Sequence, residues 1–191
     1  GIRSVAVCSK FSTRNNELEV QAGDYFTQNG FHAFISSDYS GKLNFPRRAF
    51  TSFLTASIYP AYMDAAAGIR EGVRSMGLKC PIYILKADGG AVPLEESMKC
   101  PLESVLSGPA ASIMGALYSK EILENEETVV LDIGGTTTDL GFFIGGAPLL
   151  EPEGIKIREF NTLIRALRVF PLPIGGDTLF SFEGGRVNLN N

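Results

Sequence analysis

The sequence has one histidine, His32, and three cysteines, Cys8, Cys80 and Cys100, at wide spacing with no CxxC. A lone histidine leaves little for a zinc site or a Ser-His-Asp triad to draw on. Scattered cysteines of odd number do not make a disulfide framework and fit reduced thiols in a cytoplasmic protein, with Cys8 the one speculative nucleophile. No run of Lys or Arg occurs and the formal charge is -4, which argues against a nucleic-acid surface or a membrane patch. No apolar stretch nears the ~20 residues of a membrane span, and no signal peptide is visible. Neither GxxxxGK[ST] nor GxGxxG is present.

What is present is a chain of 191 residues, 45% of them hydrophobic, enough core for one large domain or two small ones. It begins at Gly1, inside a strand pattern by Ser4, and ends in NLNN, so it reads as a piece of something longer. SVAVCS (4–9) and FHAFIS (31–36) read as buried strands. Between them a helix is expected, with Leu18, Ala22, Tyr25 and Phe26 at helical spacing and a stop at Asn29-Gly30. Strand, helix, strand with short joints predicts a parallel pair with a crossover helix. Pro46 opens a long helix to Gly77 whose apolar face is Ala49, Phe50, Phe53, Leu54 and Ile58, continued by Ala65, Ala66 and Ile69. Pro60 predicts a kink or break near Ser57–Tyr59. Arg47 and Arg48 read as its solvated start. PIYILKA (81–87) is a strand ended by Lys86 and the turn Asp88-Gly89-Gly90, which is alternatively the rim of a cleft. Pro93 to Ser97 starts a short helix. Ser107-Gly108-Pro109 caps another that buries Ile113 and Leu117; its N-terminus is alternatively an anion site. From Glu127 the pattern becomes a β-meander, TVVLDI, TTDLGFFI and APLLEP, with Gly145-Gly146 as a primed turn. IKIREF and RALRVFPLPI are further strands, and Gly175-Gly176-Asp177-Thr178 is a loop or a second polar contact near the site.

The stretch VVLDIGGTTTDLGFF (129–143) carries the chemistry. A glycine-rich phosphate loop usually leads into a helix; here strands press in from both sides, so Gly134, Gly135, Thr136 and Thr137 form a hairpin tip. Glycines let backbone N–H groups approach an anion, and threonine hydroxyls add donors. Carboxylates beside a phosphate make sense if Mg²⁺ lies between, held by Asp132 or Asp139 directly or through water. The alternative is a tight structural turn with threonines chosen for strand propensity.

DIGGTTTDLGFF (132–143) resembles the second phosphate motif of the actin/Hsp70/sugar-kinase superfamily, in the version of the hydantoinase/oxoprolinase family. ADGGAVPLEESMKCPLESVLSGPAASIMGA (87–116), FPRRAFTSFLTASIYP (45–60) and VAVCSKFSTRNNELE (5–19) are similar to that family's other stretches, in the right order. The resemblance implies an α/β fold of ribonuclease-H-like, actin-like ATPase elements: a mixed sheet with crossover helices plus the β-meander. Residues 1–127 would be the end of a first ribonuclease-H-like half with connecting helices, and 128–191 the start of a second, closing over ATP and Mg²⁺. It implies that Asp132 faces the metal or positions a water. Gly134, Gly135, Thr136, Thr137 and Thr138 would contact phosphate oxygens, and Asp139 would act with Asp132. Family members carry an earlier hairpin of this kind and a late adenosine-binding segment, neither of which occurs here; weak or no ATP binding by this stretch alone is expected. FPLPIGGDTLF (170–180) resembles a GGDS-type variant without the histidine many members have. The implied activity is ATP-dependent opening of a cyclic amide, hydantoin or 5-oxoproline, by phosphorylation of the ring carbonyl, with a second subunit of the hydantoinase type as partner. The alternatives are a ketone-carboxylase-type subunit or an actin-like nucleotide-binding regulatory module.

Overall fold

Strand β1 (Ser4–Val7) and strand β2 (His32–Ile35) pair in parallel, in register Ser4 to His32 through Val7 to Ile35, and helix α1 (Glu17–Gln28) makes the crossover between them. These come from a computed structural model, which describes residues 1–40, 42–118, 127–183 and 186–190. The helix lies where the spacing predicts, ended by Gly30 at φ +83°. Its buried face is not the apolar one, however: Leu18 and Tyr25 are exposed, while Glu19 and Gly23 face inward. A Cβ on Gly23 would come within 2.9 Å of Ile35 Cδ1, so glycine sets how closely helix and strand approach. Glu19 is buried because its carboxylate accepts from the Ser9 N–H, the Ser36 hydroxyl and the Ser37 N–H.

Helix α2 (Phe45–Ser75) starts where Asn44 Oδ1 accepts from the Arg47 N–H, with Pro46 in the first turn. It runs through Pro60 as one helix, so of the kink or break expected near Ser57–Tyr59 the break does not occur. Its inner side follows the sequence pattern in part, with Leu54 and Ile58 packed against the core, and departs from it elsewhere. Arg48, Thr51, Ser52, Thr55, Ala56 and Ala66 are buried, while Phe53 is 57% exposed. The hydroxyls are tolerated there because each is satisfied within the helix: Thr51 donates to Arg47 O, Ser52 to Arg48 O and Thr55 to Thr51 O, at 2.7–2.9 Å.

Arg48 is the larger departure. Rather than a solvated helix start, it is fully buried. Its guanidinium donates to the carbonyls of Ser9, Lys10 and Lys42 and to the hydroxyls of Ser12 and Ser36. The loop after β1, the end of β2 and the segment before α2 are therefore tied to one side chain. Arg47 is engaged too, 2.8 Å from Glu153 Oε2.

After α2 come the antiparallel strands β3 (Tyr83–Leu85) and β4 (Ala91–Pro93), helix α3 (Leu94–Ser97) and helix α4 (Ser107–Ala116). The second half is strand-rich. It comprises β5 (Glu127–Ile133), β6 (Thr138–Ile144), β7 (Ala147–Pro148), β8 (Lys156–Ile157), β9 (Phe160–Asn161), β10 (Val169–Leu172), β11 (Leu179–Glu183) and β12 (Arg186–Asn190). Strand β6 is central, antiparallel to β5 on one side and to β10 and β7 on the other. The turn before β7 is the expected glycine pair, with φ +57° at Gly145 and +73° at Gly146. IKIREF is not one strand but the β8–β9 hairpin.

Two apolar clusters hold the chain together. Ala87 and Leu102 pack with Ile155, Ile164 and Ala166; Ala110 and Ile113 of α4 pack with Phe143 and Leu167. Both draw on residues before and after 127. The end of the α4 stretch beyond Tyr118, which the sequence pattern continues to Leu123, lies outside the described residues.

Candidate functional site

Strand alternation decides which side chains β5 and β6 share. Asp132 pairs with Asp139, Val130 with Gly141 and Thr128 with Phe143, so all six point to the face covered by α4. Gly141 lets α4 come close: a Cβ there would sit 2.6 Å from Ile113 Cδ1. Two carboxylates directly opposite each other are an unfavourable pair unless something positive lies between them. Burial, and then the charge of Asp132, push the Asp139 carboxyl above its ordinary range. The pair is thus suited to a cation or a proton.

The tip between the strands is closed by the Gly134 N–H donating to Thr137 O at 2.8 Å. It does not stand free, because the Gly175-Gly176-Asp177-Thr178 loop is docked on it. The Gly176 N–H donates to Gly134 O (2.9 Å) and the Asp177 N–H to Gly135 O (2.8 Å). The Thr138 hydroxyl donates to Ile174 O (2.6 Å), and the loop closes on itself through Gly175 N–H to Thr178 Oγ1 (2.9 Å). A Cβ on Gly175 would lie 2.3 Å from Gly135 O, and one on Gly135 would lie 2.9 Å from Asp177 Oδ2. Glycine is therefore required at Gly175, where the close approach is to backbone, whereas at Gly135 it is the end of the Asp177 side chain that comes near.

This docking uses the tip's carbonyls and leaves its donors. Among the described residues nothing accepts from the N–H groups of Gly135, Thr136 and Thr137 or from the hydroxyls of Thr136 and Thr137, and all three residues are exposed. Free N–H groups and hydroxyls on a pinned bend can receive an anion. Thr138 has a different place from its two neighbours, buried with its hydroxyl turned to Ile174. Asp177, which the sequence leaves in a loop of open role, is brought beside Gly135. The sequence offers the loop as a second polar contact near the site but not which atoms meet, since residues 138–174 lie between the two turns.

The other candidates fall elsewhere. Asp88-Gly89-Gly90 is a turn, with Asp88 Oδ1 accepting from the Gly90 N–H and Gly89 at φ +84°. Lys86 does more than end its strand, lying 3.6 Å from Asp88 Oδ2 and 3.5 Å from Glu103 Oε2. Helix α4 is capped by Leu106 at φ +66° rather than by Ser107 or Gly108. The His32 ring packs against Tyr59, tilted by 48° with centroids 4.7 Å apart. All three cysteines are unpaired, and burial, with Glu103 nearby, pushes the Cys100 thiol up to about 12. No group of three or more His, Cys, Asp or Glu able to hold a metal occurs among the described residues, and no helix among them is long and apolar enough to cross a membrane.

Against known proteins, residues 48–191 match the family model described as Hydantoinase/oxoprolinase. A curated relative, the uncharacterized protein MJ0964 of Methanocaldococcus jannaschii, is 24% identical over 106 residues, 56% of this chain and 16% of the relative. Two solved structures share the fold over 98% of the chain. One is the ATP-dependent caprolactamase from Pseudomonas jessenii (TM-score 0.83, 16% identity) and the other an acetone carboxylase in nucleotide-free form, from work on ATP-dependent acetone carboxylation (TM-score 0.77, 18% identity). The chain spans 27% of each of those chains and 16% of the curated relative.

Proposed function

Because the chain belongs to the hydantoinase/oxoprolinase family, we propose that it supplies the phosphate-binding hairpin of an ATP-dependent enzyme that opens a cyclic amide. The observation that carries this is the pinned tip: N–H groups at Gly135, Thr136 and Thr137 with no acceptor among the described residues, separated from the paired carboxylates Asp132 and Asp139 by the one pair Ile133–Thr138. In the proposed fold, residues 1–127 end one ribonuclease-H-like half and 128–191 begin the other.

The residues fit ATP with Mg²⁺. Mg²⁺ keeps most of its waters and takes one or two carboxylates together with phosphate oxygens, so a facing pair suffices where the described residues hold no larger cluster. When bound, ATP·Mg²⁺ supplies activation, making a poorly electrophilic carbonyl carbon open to water. The chain's own part is positional. Asp132 would hold the cation, with Asp139 beside it. The tip N–H groups and the Thr136 and Thr137 hydroxyls would receive the phosphate oxygens. Thr138, Gly175, Gly176 and Asp177 keep the tip from shifting. The net reaction is ring amide plus ATP and two waters giving the ring-opened amino acid, ADP and phosphate. The unpaired cysteines support a cytoplasmic setting, and a second subunit of the hydantoinase type completes the reading.

A second reading has equal support from the fold: carboxylation of a ketone, as in the acetone carboxylase named above. The full-length protein decides between them. Nucleotide turnover stimulated by hydantoin, 5-oxoproline or caprolactam supports the first; stimulation by acetone with bicarbonate alone supports the second. In either case Asp132→Asn is expected to lower ATP turnover on the order of 10²-fold. Unchanged turnover in that variant removes the hairpin from the mechanism.

A further inference from the structure

Between β7 and β10, both paired with β6, the chain makes an excursion away from the sheet and back. Its two limbs are bonded to each other. The Glu151 N–H donates to Ala166 O, the Ile155 N–H to Ile164 O and the Thr162 N–H to Ile155 O, at 2.9–3.0 Å. The returning limb carries Ile164, Ala166 and Leu167 into the two apolar clusters and then, with only Arg168 between, becomes β10. Strand β10 sets Pro171 opposite Asp139 and Leu172 opposite Thr138, and the loop that clasps the tip follows it.

The far end of the excursion is held by the first two turns of α2. Arg47 ion-pairs with Glu153 at 2.8 Å and also donates to the Glu153 carbonyl. The Phe50 and Phe160 rings meet with centroids 4.8 Å apart. The Leu163 N–H donates to Thr51 Oγ1 at 3.0 Å, while the same hydroxyl donates to Arg47 O at 2.7 Å. Thr51 is fully buried, so a Leu163 N–H deprived of this oxygen is left without an acceptor.

We propose that α2, through Thr51 and the Arg47–Glu153 pair, positions the phosphate tip. The proposal rests on the function proposed above and adds positioning residues to it, ones that act through β10 and the clasping loop rather than on the nucleotide. The physical reason is stiffness. A limb bonded along one edge and buried in close-packed clusters transmits a displacement instead of absorbing it. A shift where α2 holds Leu163 therefore reaches β10 and the Gly176 and Asp177 N–H groups that pin the tip. Hydrogen bonds weaken steeply once distance and angle leave their preferred range, so an anion site made of backbone N–H groups responds to small displacements.

The test uses the full-length protein, with ATP turnover in the presence of a stimulating acceptor as the signal. Thr51→Val nearly keeps the shape and removes the oxygen; Thr51→Ser keeps the oxygen. The valine variant is expected to raise KM for ATP about 10-fold, and the serine variant to stay within about twofold of the parent. Glu153 is exposed, so Glu153→Ala removes the ion pair at little cost in folding. It should raise KM for ATP about threefold. Loss of folded protein alone lowers the apparent kcat and leaves KM where it was, so KM separates positioning from stability. Should the valine variant fail to fold, Glu153→Ala decides. An unchanged KM for ATP in every folded variant, or a serine variant no better than the valine one, overturns the proposal. Failure of the underlying function looks different: there Asp132→Asn leaves ATP turnover intact.

Discussion

Asp139 shows how a residue's neighbours set its chemistry. Its carboxyl is raised by burial and by Asp132, so the folded state binds its proton more tightly than the unfolded chain does. The sign follows. Stability is undiminished below the ordinary Asp range and is lost as pH rises from there through the raised value. Asp139→Asn should therefore be as stable as the parent or more so at pH 7 by thermal melting, with the difference vanishing in acid. Loss of stability at pH 7 would contradict that. Glu19 works the other way. Burial alone would raise it, but hydrogen bonds from Ser9, Ser36, Ser12 and Ser37 outweigh burial and hold it below the usual carboxylate range. Its contribution is present above the unfolded pKa and is lost as pH falls through the folded one, so Glu19→Gln should flatten the acid limb of the stability profile. At Gly175 the constraint is steric. Gly175→Ala puts a methyl into Gly135 O, with an expected cost of ~1–3 kcal/mol in denaturant unfolding.

At the scale of elements, the hairpin was legible, and its partner loop was legible only as one of two readings, a second polar contact near the site. Alternation and the apolar flanks placed β5, β6 and the tip within a residue or so. Docking of the 175–178 loop depends on glycine contacts across the chain, which no local pattern encodes. Helix α2 was legible in existence, length and part of its inner face, where Leu54 and Ile58 pack on the core and Ala66 is buried. Hydrophobic spacing also pointed to Phe53, which is exposed, and missed Arg48 and a set of self-satisfied hydroxyls on the inner side. Pro60 interrupts the ladder without ending the helix. Pro60→Ala restores one backbone donor and is expected to stabilise the protein by ~1–3 kcal/mol, read by chemical denaturation. Arg48→Met leaves the carbonyls of Ser9, Lys10 and Lys42 without their donor and should cost ~3 kcal/mol or more.

For the whole molecule, the outer face of the β5–β6–β10 sheet is apolar and open. Leu131 and Ile133 are 56% and 66% exposed, with Val129, Ile144, Phe170 and Leu172 beside them, and β5 has no second neighbour among the described residues. Such a patch with an open edge favours association. The 191-residue chain by itself should self-associate in a concentration-dependent way by sedimentation, and Leu131→Lys should shift it toward monomer. A monomer at all concentrations would show that the face is tolerated in water.

The order of elements, the βαβ opening, the hairpin at 132–139 and the family all followed from the sequence, because periodicity, turn chemistry and short motifs are written in neighbouring residues. The buried Arg48, the atoms by which the loop clasps the tip and the bare sheet face were decided only by the tertiary structure. Each depends on which distant atoms come within hydrogen-bonding or van der Waals reach, and that reach is a property of packing rather than of any stretch of chain.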